Sequence, residues 1–478
     1  MKNKLKTVLI FTVITSILGS ACGCASKKEN TAAGGGTTLR WVLIGKNSKD
    51  AEDVFKKFNE DLKSKAGMSV DFQTIASGSY SEKINLMISS KEDFDLCFTS
   101  DWLNTYSTNV NKGSFLKLDD KLEAKPKLKE AIPDYIWNSA KIGGSLYAVP
   151  NYQISYLEIC AVIRKSLVQK YNLDVSGIHT LKDLEPVLAV LKEKEPNLIP
   201  FKWSWTPLGL YYESVPGASQ LYVKKGDESL KVYAPYEAPE YIDYMKLMRS
   251  WYEKGYLPSD VATRNAGDNA KNYAVGLSTL KPGIEVNEMK TYGETLEHIQ
   301  LAEPYVNSSS GQGTMTAVMA MSKKADKAVE LLELINTDKD LYNTLCFGIE
   351  GRNYKKVTDN RIEKLNEDYN SLEAWAVGKQ FNAYVYGDQK DDVWEQTQKN
   401  NESAAKSKLI GFSFNSANVT NEMTAVSAVQ SEYSGFLDCG IENPEDHIDE
   451  YINKMKAAGI EKIKAELEKQ IEEWKKTK

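Results

Sequence analysis

Between residues 38 and 99 the spacing of apolar side chains alternates between strand and helix periods, and that alternation limits the fold more than any other feature of the chain. Residues 39–45 (LRWVLIG) form a short apolar run. Residues 49–65 follow with Val54, Phe55, Phe58 and Leu62 on one helical face, stopped by Gly67. Met68, Val70 and Phe72 then alternate as in a strand. Ser79 and Glu82 fit a capping box, and the helix it opens sets Tyr80, Ile84, Met87 and Ile88 on one face. Residues 94–99 (FDLCFT) read as a third strand. Strands joined through helices pair in parallel with helices on both faces, so this half is a three-layer α/β unit. Ligands bind beyond the carboxyl ends of such strands. Two places qualify. Residues 77–80 bring Tyr80 to a helix N-terminus, and residues 99–102 set Asp101 beside Trp102, a hydrogen-bond acceptor next to a stacking surface. Asp101 reads equally well as a helix cap, and the two roles are compatible.

The N-terminus sets the compartment. Lys2, Lys4 and Lys6 precede an apolar run that is well short of the roughly 20 residues a spanning helix needs. Small residues follow, so residues 1–21 read as a secretory signal peptide. Cys22 directly after Ala21 resembles the bacterial lipobox, whose Cys is acylated, with Cys24 as the alternative. Residues 22–37 are a polar, Gly-rich tether. The mature chain therefore sits on the extracytoplasmic face of a bacterial cell membrane, held by lipid alone. The net charge is −6, and loss of the leader lysines makes it more negative, which argues against a nucleic-acid partner. The remaining cysteines, Cys97, Cys160, Cys346 and Cys439, show no zinc-type spacing. The three histidines are scattered. No metal and no cofactor is expected.

A length of 478 residues exceeds one core and calls for at least two domains. Residues 145–164 (SLYAVPNYQISYLEICAVIR) are the join between them. Gly143 and Gly144 make a tight turn, and Pro150, which cannot donate to a ladder, suits a strand end. The stretch reads as a hinge strand between two lobes, with Asn151, Tyr152 and Gln153 facing the space between them; an ordinary buried strand is the other reading. A second α/β pattern begins after Arg164. Trp203 and Trp205 alternate near a strand end and are taken as a cleft wall over core packing. Residues 302–321 read as a second crossover, with Tyr305 and Asn307 at its loop. Twenty-six Tyr and 9 Trp give ample flat, amphipathic surface for a polar ligand, although most rings simply pack. The acidic residues 387–392 (GDQKDD) lack the alternation of a calcium loop and read as a solvated turn. The last helix carries Ile460, Ile463, Leu467, Ile471 and Trp474 as a packing stripe.

Several motifs resemble those of the family 1 extracellular solute-binding proteins of ABC transporters. They are Tyr80, Lys83, Leu86, Met87 and Ser90 in Y-x-x-K-x-x-L-M-x-x-S, and residues 94–102 (FDLCFTSDW). Residues 147–153 (YAVPNYQ), 328–343 (AVELLELINTDKDLYN), 348–354 (GIEGRNY) and 409–414 (LIGFSF) look like the subgroup with the DUF3502 C-terminal module. The resemblance implies a periplasmic-binding-protein-like (type II) two-lobed fold with hinge strands and a helical C-terminal extension. Lobe 1 is then residues 38–150 plus about 305–345, lobe 2 residues 151–304, and residues 346–478 a module packing on both. It also implies a monomer that traps a small polar solute, an oligosaccharide before others, and delivers it to the transmembrane subunits of an ABC importer. Tyr80, Asp101, Trp102, Asn151, Tyr152, Gln153, Trp203, Trp205, Tyr305 and Asn307 are the candidate ligand contacts, chosen by their place in the pattern. A peptide or amino-acid derivative is the alternative solute. It would want a buried Arg, and Arg40, Arg164, Arg249, Arg264, Arg352 and Arg361 all fall in helices, turns or strand starts. A hydrolase would need paired carboxylates; Glu158 and Glu213 are available, but no recognised pattern surrounds them.

Overall fold

The opening strand Thr37–Ile44 buries Leu39, Trp41, Val42 and Leu43 completely, and burial on both faces makes it an inner strand. It pairs in parallel with Met68–Ile75 on one side and Leu96–Thr99 on the other. The structure, a computed structural model, describes residues 36–203, 208–264 and 269–477. The signal peptide, most of the tether, Cys22, Cys24 and Trp205 lie outside the described residues.

Helices Ala51–Ala66 and Ser77–Ser89 connect the three parallel strands. The second starts earlier than the capping-box reading: Ala76 is its N-cap, and the Ser79 hydroxyl donates back to the Ala76 carbonyl from inside the first turn. Two further strands complete the sheet. Met315–Val318 runs antiparallel to Leu96–Thr99, and Ala148–Pro150 pairs with its outer edge. Pro150 thus lies on an edge strand, where a missing N–H costs no ladder bond. The chain leaves this sheet after Pro150 and comes back to it only at Met315.

Between those points it builds a second sheet in the order Leu296–Gln300, Ile159–Arg164, Tyr273–Thr279, Ile199–Lys202. A small sheet of Tyr212–Val215, Ala218–Lys224 and Val232–Tyr233 accompanies it. The two main sheets belong to two hydrophobic cores, and the molecule has two lobes. The stretch after residue 346 is divided between them. Cys346, Leu372, Ala376, Val377 and Ala383 join the first core. The closing helices Thr420–Leu437, Pro444–Ala457 and Ile460–Lys475 join the second, burying Ile460, Ile463, Leu467 and Ile471.

Three segments cross between the cores, and they lie side by side. Leu157 and Tyr305 exchange backbone hydrogen bonds at 2.9 and 3.0 Å. Tyr305–Val306 pairs in parallel with Ala405–Lys406. Glu213, 5% exposed at the second lobe, accepts from the Tyr305 hydroxyl (3.0 Å), the Ser308 backbone N–H (3.0 Å) and the Ser407 hydroxyl. Half-buried Lys225 sits over the Tyr305 ring, 5.0 Å from its centroid. Burial pushes its ammonium down to about 8, opposed by the Glu213 charge. In the second crossing, Gly311 donates its N–H to the Ser139 hydroxyl at 2.8 Å. A Cβ there would collide with the Ile136 carbonyl, so only glycine allows this approach.

Asp438, 4% exposed at the end of helix Thr420–Leu437, accepts a hydrogen bond from Tyr241 of the second lobe. Burial pushes its carboxyl up to about 7, with the Tyr241 bond opposing. An unfolded Asp titrates at about 4, so the native state holds this proton more tightly. Stability carried by Asp438 therefore rises as pH falls from about 7 towards about 4, and above that window the buried charge counts against the fold. Asp438→Asn removes the charge and keeps an acceptor for Tyr241. The variant is expected to melt above the parent at about pH 8, with the gap closing by about pH 5, in paired thermal melts.

Candidate ligand-binding cleft

The loop after Leu96–Thr99 is stitched to the second crossing. The Ser100 hydroxyl accepts from the backbone N–H groups of Trp102 (3.3 Å) and Leu103 (2.7 Å), closing a short turn. Asp101 N–H donates to the Gln312 carbonyl at 2.9 Å, and the Trp102 indole N–H to the Gly313 carbonyl at 2.8 Å. Trp102 is 56% exposed yet held in place. Its ring centroid lies 6.2 Å from that of Trp375, and both rings lie 6.2 Å from buried Phe98. Two tryptophans far apart in sequence thus form a shelf on one core phenylalanine.

A cavity lies beside each of the two tryptophans. One, about 430 Å³, includes Trp375 and is lined by Tyr386 and Trp394 on the first-lobe side and by Lys281 and Asn287 of the second lobe. Its polar lining is mainly amide: Asn366, Asn370, Gln389 and others. Its Trp394 indole N–H is buried and has no partner among the described residues. The other, about 670 Å³, includes Trp102. Asp101, Ser107, Thr108 and Asn111 form its first-lobe wall, and residues 214–217 and 413–416 the wall opposite. Neither cavity is lined by an arginine, and the described residues hold no cluster suited to a metal ion.

Of the residues expected at the site, Asp101, Trp102 and Gln153 line these cavities. Gln153 also donates to the Thr314 hydroxyl at 3.0 Å. Trp205 lies outside the described residues, and Tyr80, Asn151, Tyr152, Trp203 and Tyr305 are engaged inside the protein. Tyr80 is fully buried, its hydroxyl donating to the Val42 carbonyl and accepting from Phe98 N–H, both at 2.9 Å. Burial pushes its phenol well above the usual range. Asn151 donates to the Ala376 carbonyl (2.9 Å) and accepts from Gly378 N–H (3.0 Å), joining an edge strand to the segment that carries Trp375. Tyr152 is buried with its ring 4.8 Å from that of Phe381. The Trp203 indole donates to the Tyr244 hydroxyl (2.8 Å) and the Asp438 carbonyl (3.0 Å), so it packs against the closing helices. Tyr305 is committed to Glu213, and half-buried Asn307 lines neither cavity. The common cause is that a strand-end aromatic with a polar tip satisfies buried backbone as readily as it meets a ligand. Trp375, Tyr386, Trp394 and residues 413–416 are missed from sequence. The density of aromatic and amide residues over 366–396 is the one signal that points to the first three.

Two α/β lobes joined by three adjacent crossings, with a polar cleft floored by tryptophan, define a binding protein for a soluble ligand. A model of the bacterial extracellular solute-binding protein family matches residues 46–340, and the chain belongs to that family. A model of a domain of unknown function, DUF3502, matches residues 408–476. A carbohydrate ABC transporter substrate-binding protein of Streptococcus pneumoniae is 28% identical over 497 residues, covering all of both chains. Lipoprotein LipO of Bacillus subtilis is 22% identical over 421 residues, 78% of this chain and 80% of that one. The crystal structure of the N-glycan transport solute binding protein NgtS of S. pneumoniae superposes with a TM-score of 0.81 at 25% identity, covering 91% of this chain and 98% of that one. Its complexes with Man1GlcNAc and Man5GlcNAc give 0.74 and 0.71.

Replacing Tyr80 with Phe tests its place in the core. Tyr80→Phe strands the Phe98 N–H and the Val42 carbonyl in a buried setting, at a cost of about 1–3 kcal/mol. Denaturant unfolding is expected to show that loss, with ligand affinity unchanged.

Proposed function

We propose that this protein captures a neutral oligosaccharide in the cleft between its lobes and delivers it to the transmembrane subunits of an ABC importer. The observation that carries this reading is the Trp102–Trp375 shelf, in which exposed Trp102 is fixed by its hydrogen bond to the Gly313 carbonyl and by packing beside half-buried Trp375, with a cavity lined in part by polar side chains beside each ring. A sugar ring presents an apolar C–H face and a rim of hydroxyls. A tryptophan shelf covers the face, and the surrounding amides and hydroxyls pair with the rim. The names of the S. pneumoniae relatives, one a carbohydrate transporter component and one crystallised with mannose-containing glycans, support the same ligand class.

A peptide or other carboxylate ligand is less well served, because no arginine lines either cavity. Arg352 is committed to Asp50 and Asp53, and Arg361 to Asp391. Catalysis is not part of the reading. Glu213 is saturated by three donors at the crossings, and Glu158 lines a different cavity. The three crossings act as the hinge about which the lobes close on the ligand. Delivery takes place at the extracytoplasmic face of the cell membrane, where Cys22, or Cys24, carries the lipid anchor after removal of residues 1–21. The name of the B. subtilis relative supports that anchor, and no described helix is long and apolar enough to cross a membrane.

Isothermal titration of the mature, unlipidated protein against neutral oligosaccharides, Man1GlcNAc and Man5GlcNAc among them, tests the proposal. Trp102→Ala and Trp375→Ala are each expected to weaken binding by about tenfold, the equivalent of about 1.4 kcal/mol of stacking and buried area. Binding of peptides alone, or unchanged sugar affinity in both variants, overturns it.

A further inference from the structure

The larger cavity has one wall that belongs to neither α/β sheet. Residues 413–416 precede the closing helices, fall inside the stretch matched as a domain of unknown function, and face the Asp101–Trp102 loop across the cavity. They form no regular secondary structure, yet they are clamped from both sides. Phe414 N–H donates to the Pro216 carbonyl at 3.2 Å. Gly217, at φ +83°, permits that approach, since a Cβ there would lie 2.9 Å from the Phe414 carbonyl oxygen. On the other side Gln470 of helix Ile460–Lys475 reads the Asn415 backbone in both senses. Its Oε1 accepts from Asn415 N–H and its Nε2 donates to the Asn415 carbonyl, each at 2.9 Å. Phe412 and Phe414 anchor the segment in the second core, and the Phe412 ring lies 5.5 Å from that of Trp474.

Held by its backbone and by the buried Phe414 ring, the segment leaves its polar side chains, Ser413, Asn415 and Ser416, for the cavity. Asn415 Oδ1 accepts from Ala417 N–H at 3.1 Å, which leaves the amide nitrogen to donate outwards. The hydroxyls of Ser413 and Ser416 have no hydrogen-bond partner among the described residues. One amide and two hydroxyls, all uncharged, suit a ligand rich in neutral hydroxyl groups.

Resting on the oligosaccharide reading above, we propose that residues 413–416 are the specificity-determining wall for the sugar units that extend past the tryptophan shelf. The closing helices serve to present that wall, and Gln470 is the positioning residue. This gives the C-terminal stretch a task in ligand selection: a short ligand is held at the shelf, and a longer or branched one also meets Ser413, Asn415 and Ser416.

Affinity for a short and a long glycan, read side by side, tests this. The probes are Man1GlcNAc and Man5GlcNAc, or short and long members of whichever neutral series the parent protein binds. Asn415→Ala is expected to lower affinity for the long probe about fivefold, the worth of one neutral hydrogen bond, and leave the short probe unchanged. The Ser413→Ala/Asn415→Ala double variant is expected to lose about tenfold on the long probe alone. Gln470→Ala is expected to shift the long-to-short ratio in the same direction, a readout that simple loosening of the fold would not move. Variants that bind both probes like the parent, or lose both equally, overturn the proposal while the sugar reading stands. A parent protein that binds no neutral oligosaccharide overturns the sugar reading and the proposal with it.

Discussion

The Glu213 carboxylate is the point on which the two-lobe arrangement depends. It leaves the second lobe and meets donors from two of the three crossing segments: Tyr305, Ser308 and Ser407. A buried carboxylate is costly unless its lone pairs are filled, and here three donors fill them. The same bonds fix how Tyr305–Val306 and Ala405–Lys406 run side by side. Because the crossings are paired strands and not loose linkers, freedom between the lobes is confined to bending about one short ladder. Closing on a ligand then means a hinge with a defined axis, and the walls of the cleft meet in one relative orientation.

The C-terminal third follows from that constraint. Once the chain has returned to the first sheet at Met315, it crosses once more, at residues 404–408, and lays material on both lobes. Before that crossing it supplies Trp375 and Trp394 to the first cavity; after it, residues 413–416 to the second. The cleft is therefore built late in the sequence onto lobes that were complete as sheets without it. The sheets place the cleft, and the later additions furnish most of its chemistry.

This division also explains what is legible in the sequence. Hydrophobic period is a local property, so the first sheet and its helices can be read from residues 38–99, and the hinge from the Pro150 stretch and the Ser-Gly loop near residue 310. Trp102 is legible as a cavity-lining residue because clefts in such folds open beyond strand ends. Trp375 is not, since only tertiary packing on Phe98 brings it to Trp102. Tyr80 and Trp203 mislead for the opposite reason. Each stands at a position where a ligand contact is expected, yet each has a buried backbone or hydroxyl partner within reach. Nothing local to a sequence distinguishes a polar-tipped ring that serves the core from one that serves a ligand.

The acidic loop at residues 387–392 shows how charge is managed beside the cleft without a metal-type ligand pattern. The Arg361 guanidinium enters the loop, donating to Asp391 Oδ1 at 2.6 Å and to the carbonyls of Gly387 and Gln389. The ion pair alone is worth little, because Asp391 is largely exposed and water screens it. The carbonyl bonds matter more. They fix the loop backbone, while the Gln389 amide oxygen accepts from Tyr386 N–H at 3.1 Å. Tyr386 and Gln389 both line the first cavity. A fixed cation supplied by a neighbouring strand thus orders the Tyr386–Gln389 part of the cavity wall, which presents a phenol ring and an amide where the loop itself is acidic.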